Sequence, residues 1–125
     1  MSTGISLDRL PELAAARAAV PLALSVDDDG RARASAVRAE WPAGGGGRIV
    51  VLHVGAHTAR NAQRRPLISV IWPEGRGEEM ALLLDGRVTG IDLDPPPPDL
   101  ARTRKPGGRL TLEVESAMLH VVRRP

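Results

Sequence analysis

The residues of this chain best suited to chemistry lie in one stretch, Arg48 to Trp72 (RIVVLHVGAHTARNAQRRPLISVIW). An apolar run ends at Gly55-Ala56, and His57-Thr58-Ala59-Arg60 then opens a short helix. A helix start presents main-chain N–H groups that have no partner inside the helix, together with the positive end of its dipole, and so suits an anion. Thr58 adds a hydroxyl, and Arg60 a guanidinium able to grip a phosphate through two parallel bonds. The same residues also fit a plain helix start capped by Thr58, with Arg60 solvated beside it. Local chemistry leaves both readings open.

Other constellations are weaker. His53 and His57 are four apart but straddle a strand end and a turn, so no helix face unites them and no metal site is expected. Asp27-Asp28-Asp29-Gly30 lacks the downstream glutamate of a calcium loop and reads as a hairpin turn. The four glycines of Pro42 to Gly47 are followed by neither Gly-Lys-Ser/Thr nor a helix, which makes them a hairpin loop and not a phosphate loop. His120, on a strand of buried type, reads as a satisfied interface residue, and Trp41 and Trp72 as packing residues, with Trp72 placed to border a pocket. No Ser–His–Asp arrangement follows from order or motif.

The elements that must position these residues follow from periodicity. Leu7, Leu10, Leu13 and Ala14 at helical spacing predict an amphipathic helix over residues 7–19, with Ser6 as N-cap and Pro21 barring continuation. Strands are predicted at Pro21–Asp27, Arg31–Trp41, Arg48–Gly55, Leu67–Trp72, Glu79–Leu93 (bulged near Asp85-Gly86) and Arg109–Arg123. Ser35, Val37, Ala39 and Trp41 share one face of the second strand. A short helix spans Thr58 to Arg65, closed by Pro66. A turn is expected at Pro73–Gly77 and an irregular excursion over Asp94–Gly108, where four consecutive prolines forbid regular helix at its start. Strands joined mostly by short turns, without helical crossovers, indicate an antiparallel barrel. The last strand is apolar on both faces (Ala117, Met118, Leu119, Val121, Val122), a surface that a second subunit would cover.

Size and charge bound the rest. A length of 125 residues supports one domain, residues 1–125. There is no cysteine, hence neither a disulfide nor a thiolate metal site. Net charge is +2 with a pI near 10.3, and Lys105 is the sole lysine among many arginines. The basic residues are dispersed and aromatics for base stacking are nearly absent, so nucleic acid is not an expected partner. Charges are scattered through Met1 to Pro21 and no apolar run reaches membrane length, which predicts a soluble cytoplasmic protein without a membrane partner.

The order strand, turn, Thr58-x-Arg60-Asn61, Arg65-Pro66, apolar strand resembles the split-barrel flavin enzymes related to pyridoxamine-5′-phosphate oxidase. The resemblance runs from about Leu22 to Leu93 and more loosely through the final strand. It implies a mainly β fold: a six-stranded antiparallel split β-barrel (Greek key) with one N-terminal helix and one short helix after the third strand. It also implies FMN. Thr58 and Arg60 match the residues that hold the FMN phosphate, with His57 at the same helix start, and His53 and Val54 match the strand-end pair beside the flavin. Ser35 to Glu40 (SAVRAE) lies where the family has Arg-x-Val running along the isoalloxazine ring. There Val37 fits, Ser35 replaces the phosphate-binding arginine, and Arg38 is the substitute source of charge, although an ideal strand points it to the opposite face. Ala59 replaces a second basic residue, and Glu79 or Met80 falls near a family glutamine.

The family's C-terminal Trp and Arg have no counterpart after Arg123, and prolines replace the helix before the last strand. The chain therefore resembles the short, general branch, whose members use FMN or the deazaflavin F420, or bind haem or biliverdin. The implied function is a flavin-dependent oxidoreductase, a homodimer holding FMN between subunits and passing hydride or electrons between a nicotinamide cofactor and an unknown small molecule. Two alternatives accompany it. One is F420-dependent reduction, with Arg64 and Arg65 forming a groove for the longer phosphodiester tail. The other is a non-catalytic flavin- or haem-binding module, toward which Ser35 inclines.

Overall fold

A computed structural model describes residues 2–74, 80–94 and 107–121. The elements are β1 (Ser2–Gly4), a 3-10 turn (Leu7–Arg9), α1 (Leu10–Ala15), β2 (Leu22–Val26), β3 (Ala32–Ala36), β4 (Arg38–Glu40), β5 (Ile49–Gly55), α2 (Ala56–Arg64), β6 (Leu67–Trp72), β7 (Met80–Asp94) and β8 (Gly107–Val121). Every strand pairing is antiparallel, in the order β3-β2-β6-β7-β8-β5-β4, with β1 attached to β8. The mainly β barrel with two helices matches the expectation from sequence. Among the described residues there are eight strands where six were expected, because β1 is an addition and the strand expected over Arg31–Trp41 is split in two.

That split closes the barrel. β3 lies at one end of the strand order and β4 at the other, yet only Val37 separates them in the chain. A single buried residue therefore carries the chain from one sheet edge to the opposite one, pinned where its N–H donates to the Pro21 carbonyl at 3.0 Å. The shared face of Ser35, Val37, Ala39 and Trp41 survives this change of partners: all four are less exposed than the residues between them.

Alternation fills the interior as period-2 patterning requires. Val50 and Leu52 of β5, Val70 of β6, Leu82 of β7 and Leu110 and Leu112 of β8 are fully buried. β7 shifts register at Asp85/Gly86, as its Gly predicts, and again at Val88/Gly90. β7 runs along one edge of β8 for its whole length. The other edge is shared by β5, at residues 107–113, and β1, at 118–120.

Both helices differ from the sequence reading. The α-helix near the N-terminus covers only residues 10–15 of the expected 7–19, and Ser6 makes no side-chain cap. Pro11 has no N–H to donate and is tolerated only in a first turn, so the α-helix begins at Leu10 and a 3-10 turn precedes it. α2 begins at Ala56, two residues before the expected start, with Gly55 as N-cap. The turn at residues 75–77, the excursion at 95–106, and the expected strand ends at Glu79 and at 122–123 lie outside the described residues.

The β2–β3 hairpin turns where expected, at Asp27 to Gly30. The Asp27 carboxylate accepts the Asp29 and Arg31 N–H groups at 3.0 Å and the Arg33 Nε at 2.7 Å, and so organises the turn. The Arg33 bond first, then the Arg31 N–H, hold its carboxyl below the ordinary value of 3.8. A depressed carboxyl stabilises the fold above its unfolded pKa, and this is lost as pH falls through the folded value. Asp27→Asn should therefore be less stable than the parent at neutral pH, with the gap in urea midpoint closing below pH 3.8. A gap that persists in acid would show that the turn depends on shape and not on charge.

Candidate functional site

The ends of β3, β4 and β5 converge on the start of α2. Ser35 and Thr58, 23 residues apart, meet there: the Thr58 hydroxyl donates to the Ser35 hydroxyl at 3.2 Å. Thr58 is buried and does not cap α2, whose first turn has no side-chain cap at all. Its hydroxyl ties the helix to β3, and the first-turn N–H groups receive no bond from a capping side chain. Arg60, one turn into the helix, is exposed and has no hydrogen-bond or ion-pair partner among the described residues. His57 is also exposed.

Across the Val37 break, Arg38 of β4 sits in register with His53 of β5. Arg38 is exposed and makes no hydrogen bond among the described residues, and His53 Nε2 lies 3.0 Å from Glu40 Oε2. That contact chiefly holds the Glu40 carboxyl below its usual range, with Arg38 and Arg109 helping from further off. Val54 points into the core, so only its main chain can face a ligand. The eight residues marked from sequence lie along a strip of chain over β3, β4, β5 and the start of α2; the fold brings together Ser35 with Thr58 and Arg38 with His53, while Val37, Val54 and Thr58 are buried.

Sequence reading missed what holds this strip in place. Asn61 and Ser25 are both buried, and the Asn61 amide donates to the Ser25 hydroxyl at 3.0 Å, locking α2 against β2. The available signal was a polar residue between Ala59 and Ala62 on the inner face of an otherwise arginine-rich helix. Asn61→Ala strips Ser25 of this partner inside the protein and should cost about 1–3 kcal/mol, read from a denaturant unfolding curve. An unchanged curve would mean that solvent reaches Ser25.

Arg64 and Arg65 are committed elsewhere. Both pair with Asp28 at the tip of the β2–β3 hairpin, Arg65 at 3.1 Å, and these bonds hold the Asp28 carboxyl below its ordinary value. They clasp α2 to the hairpin. His120 is exposed, and its Nδ1 lies 2.7 Å from the Ser2 hydroxyl. Among the described residues no three His, Asp or Glu side chains gather as a ligand set.

A cavity of about 480 Å³ adjoins the strip, with Val37 and Arg38 on its wall. Trp41 and Trp72 also line it, their rings stacked with centroids 6.3 Å apart and planes 22° from parallel. Trp72 is buried, as its reading as a packing residue requires, and it does border a pocket.

No protein-family model matches the sequence, and no curated protein matches it. Solved structures match the fold. A protein related to general stress protein 26 of B. subtilis (pyridoxinephosphate oxidase family), from Clostridium acetobutylicum, superposes with a TM-score of 0.65 at 12% identity, over 94% of this chain and 91% of its own. An F420 reductase gives 0.61 at 16% identity, over 81% and 90%. A FAD-binding protein from Mesorhizobium loti gives 0.57 at 13%, over 98% and 99%. The chain has the split-barrel fold of these proteins.

Proposed function

We propose that this split barrel is a flavin-dependent oxidoreductase, with FMN as its cofactor, working as a cytoplasmic homodimer on a small molecule. One observation carries the reading. Strand exchange at Val37 brings Ser35 against Thr58 at a helix start that lacks a side-chain cap, one turn from an arginine with no partner among the described residues. Free first-turn N–H groups, the partly exposed Ser35 hydroxyl and an unpaired guanidinium are the chemistry a phosphate monoester requires. In this reading Ser35, His57, Thr58 and Arg60 hold the phosphate, and Val37, Arg38, His53 and the Val54 main chain line the path of the ring.

A bound flavin would supply hydride or electron transfer between a nicotinamide cofactor and the substrate. The chain's own residues bind and orient. Val37 and the core behind it keep one side of the path dry, and the Asn61 and Thr58 bonds fix the helix start against the sheet. FMN is favoured over F420 because Arg64 and Arg65, the cations nearest in sequence for a longer phosphodiester tail, are engaged by Asp28.

The homodimer is supported by the outer face of the barrel. Leu22, Ile71, Leu83 and Met118 stand in one register row across β2, β6, β7 and β8, pointing outward and only half-buried. Such a row is costly to leave in water.

The absorption spectrum of the purified protein tests the cofactor, since FMN, F420 and haem differ plainly. Anaerobic addition of NADPH or NADH should then bleach the flavin band, and sedimentation equilibrium should give twice the chain mass. A bound flavin that bleaches with neither donor, nor with reduced F420, would make this a binding module and not an enzyme. A protein that takes up no flavin would remove the functional reading and leave the fold.

A further inference from the structure

We propose that the cavity walled by the stacked tryptophans binds a planar aromatic carboxylate. Its role as the substrate pocket rests on the oxidoreductase reading; its ligand chemistry stands on the cavity alone. A volume of about 480 Å³ falls within the range of small-molecule sites. Trp41 and Trp72 are the chain's entire aromatic complement, and both are spent here. Their rings stack near-parallel, Trp72 buried and Trp41 half-exposed, so the indole on the cavity wall is held flat by its neighbour.

The surroundings are small. Apart from the tryptophans and two arginines, the lining is four alanines with Val20, Pro21 and Val37, so no long apolar side chain reaches into it. Flat walls and small neighbours select a flat ligand, because an aromatic ring gains from offset stacking on indole what a branched aliphatic group does not.

Charge selects the second feature. Arg38 lines the cavity, is exposed, and makes no hydrogen bond among the described residues, although it lies close enough to Glu40 to act on it electrostatically. Arg17, which also lines the cavity, donates to the Met80 carbonyl and serves the fold. A guanidinium beside an aromatic wall matches a carboxylate on an aromatic ring: the fork takes the two oxygens while the ring stacks on indole. The site shares Val37 and Arg38 with the strip proposed for the flavin ring, so a ligand here would lie next to that ring.

The test is tryptophan fluorescence of the 125-residue chain. Both emitting residues line the cavity, and no tyrosine contributes. 2-Naphthoate should quench tryptophan emission saturably and bind about tenfold or more tighter than neutral 2-naphthamide, the difference expected for one charge-assisted contact. Arg38→Gln should erase that preference while leaving naphthamide binding as it was. Trp41→Leu should weaken both ligands together. Excess FMN should leave naphthoate binding intact.

The proposal is overturned by an absence of saturable quenching, by a carboxylate preference that survives Arg38→Gln, or by stoichiometric displacement of naphthoate by FMN. This separates it from the flavin reading. Naphthoate binding in a protein that takes up no flavin would sustain the cavity and sink the cofactor; flavin uptake without naphthoate binding would do the reverse.

Discussion

Gly47→Ala should be among the most damaging single-methyl changes in this chain, costing about 2–5 kcal/mol. Two penalties coincide. Gly47 has φ 75°, a left-handed conformation that a Cβ opposes, and an added Cβ would lie 1.7 Å from the Leu7 carbonyl oxygen and 2.7 Å from its carbon. The neighbour is main chain and cannot swing aside. Either the 3-10 turn at Leu7–Arg9 lifts off the β4–β5 loop or the loop opens. Gly30→Ala is the matched control: its φ of 78° is nearly the same, but nothing lies within 4 Å of its added Cβ. It should cost about 1–2 kcal/mol, the backbone penalty alone. Urea unfolding of the two variants reads the difference directly. Equal costs would mean that the N-terminal segment does not pack on this loop in solution.

Arg60→Ala should weaken FMN binding by about 1.5–3 kcal/mol, roughly 10- to 100-fold in Kd, with folding left nearly unchanged. Stability should not move because Arg60 is exposed and bonds to nothing among the described residues. Affinity should move because Ser35 is uncharged where the flavin enzymes it resembles place an arginine, and Arg60 is the cation nearest in sequence to Thr58 that no acid engages among the described residues. Arg60→Lys should recover part of the loss, since an ammonium supplies charge but not the planar fork. Arg64→Ala is the control on the same helix. It should leave FMN affinity alone and loosen the clasp to Asp28, a gain or loss too small to unfold the protein because the pair is exposed on both sides. If Arg60→Ala and Arg64→Ala affect flavin equally, the effect is general electrostatics and the phosphate does not sit at the start of α2.

The strands were legible in the sequence because their causes are local. Alternation of Leu110, Leu112 and Val114 with polar neighbours, the Asp-Asp-Asp-Gly turn, the glycine loop and the bulge at Gly86 each depend on a few adjacent residues, and each appears where its residues dictate. The shared face of Ser35, Val37, Ala39 and Trp41 was legible for the same reason. Helix limits were less so. Pro11 was the overlooked signal at α1, and Thr58 looked like a cap because its type suits one.

What only the tertiary structure decided is which long-range partners meet. Val37 passes the chain between opposite edges of the barrel, and nothing in the continuous pattern of residues 31–41 marks a break, since the side-chain period is the same on either side of it. The barrel closes only when the distant pairings form, β2 with β6 and β5 with β8, which set β3 and β4 at opposite ends of the strand order. The same closure turned Thr58 from a cap into a bond to Ser35, gave Asn61 its buried partner in Ser25, and spent Arg64 and Arg65 on Asp28. It also brought Trp41 and Trp72, 31 positions apart, into one stack. Sequence spacing fixes the face on which a side chain stands; only packing decides what waits on the other side.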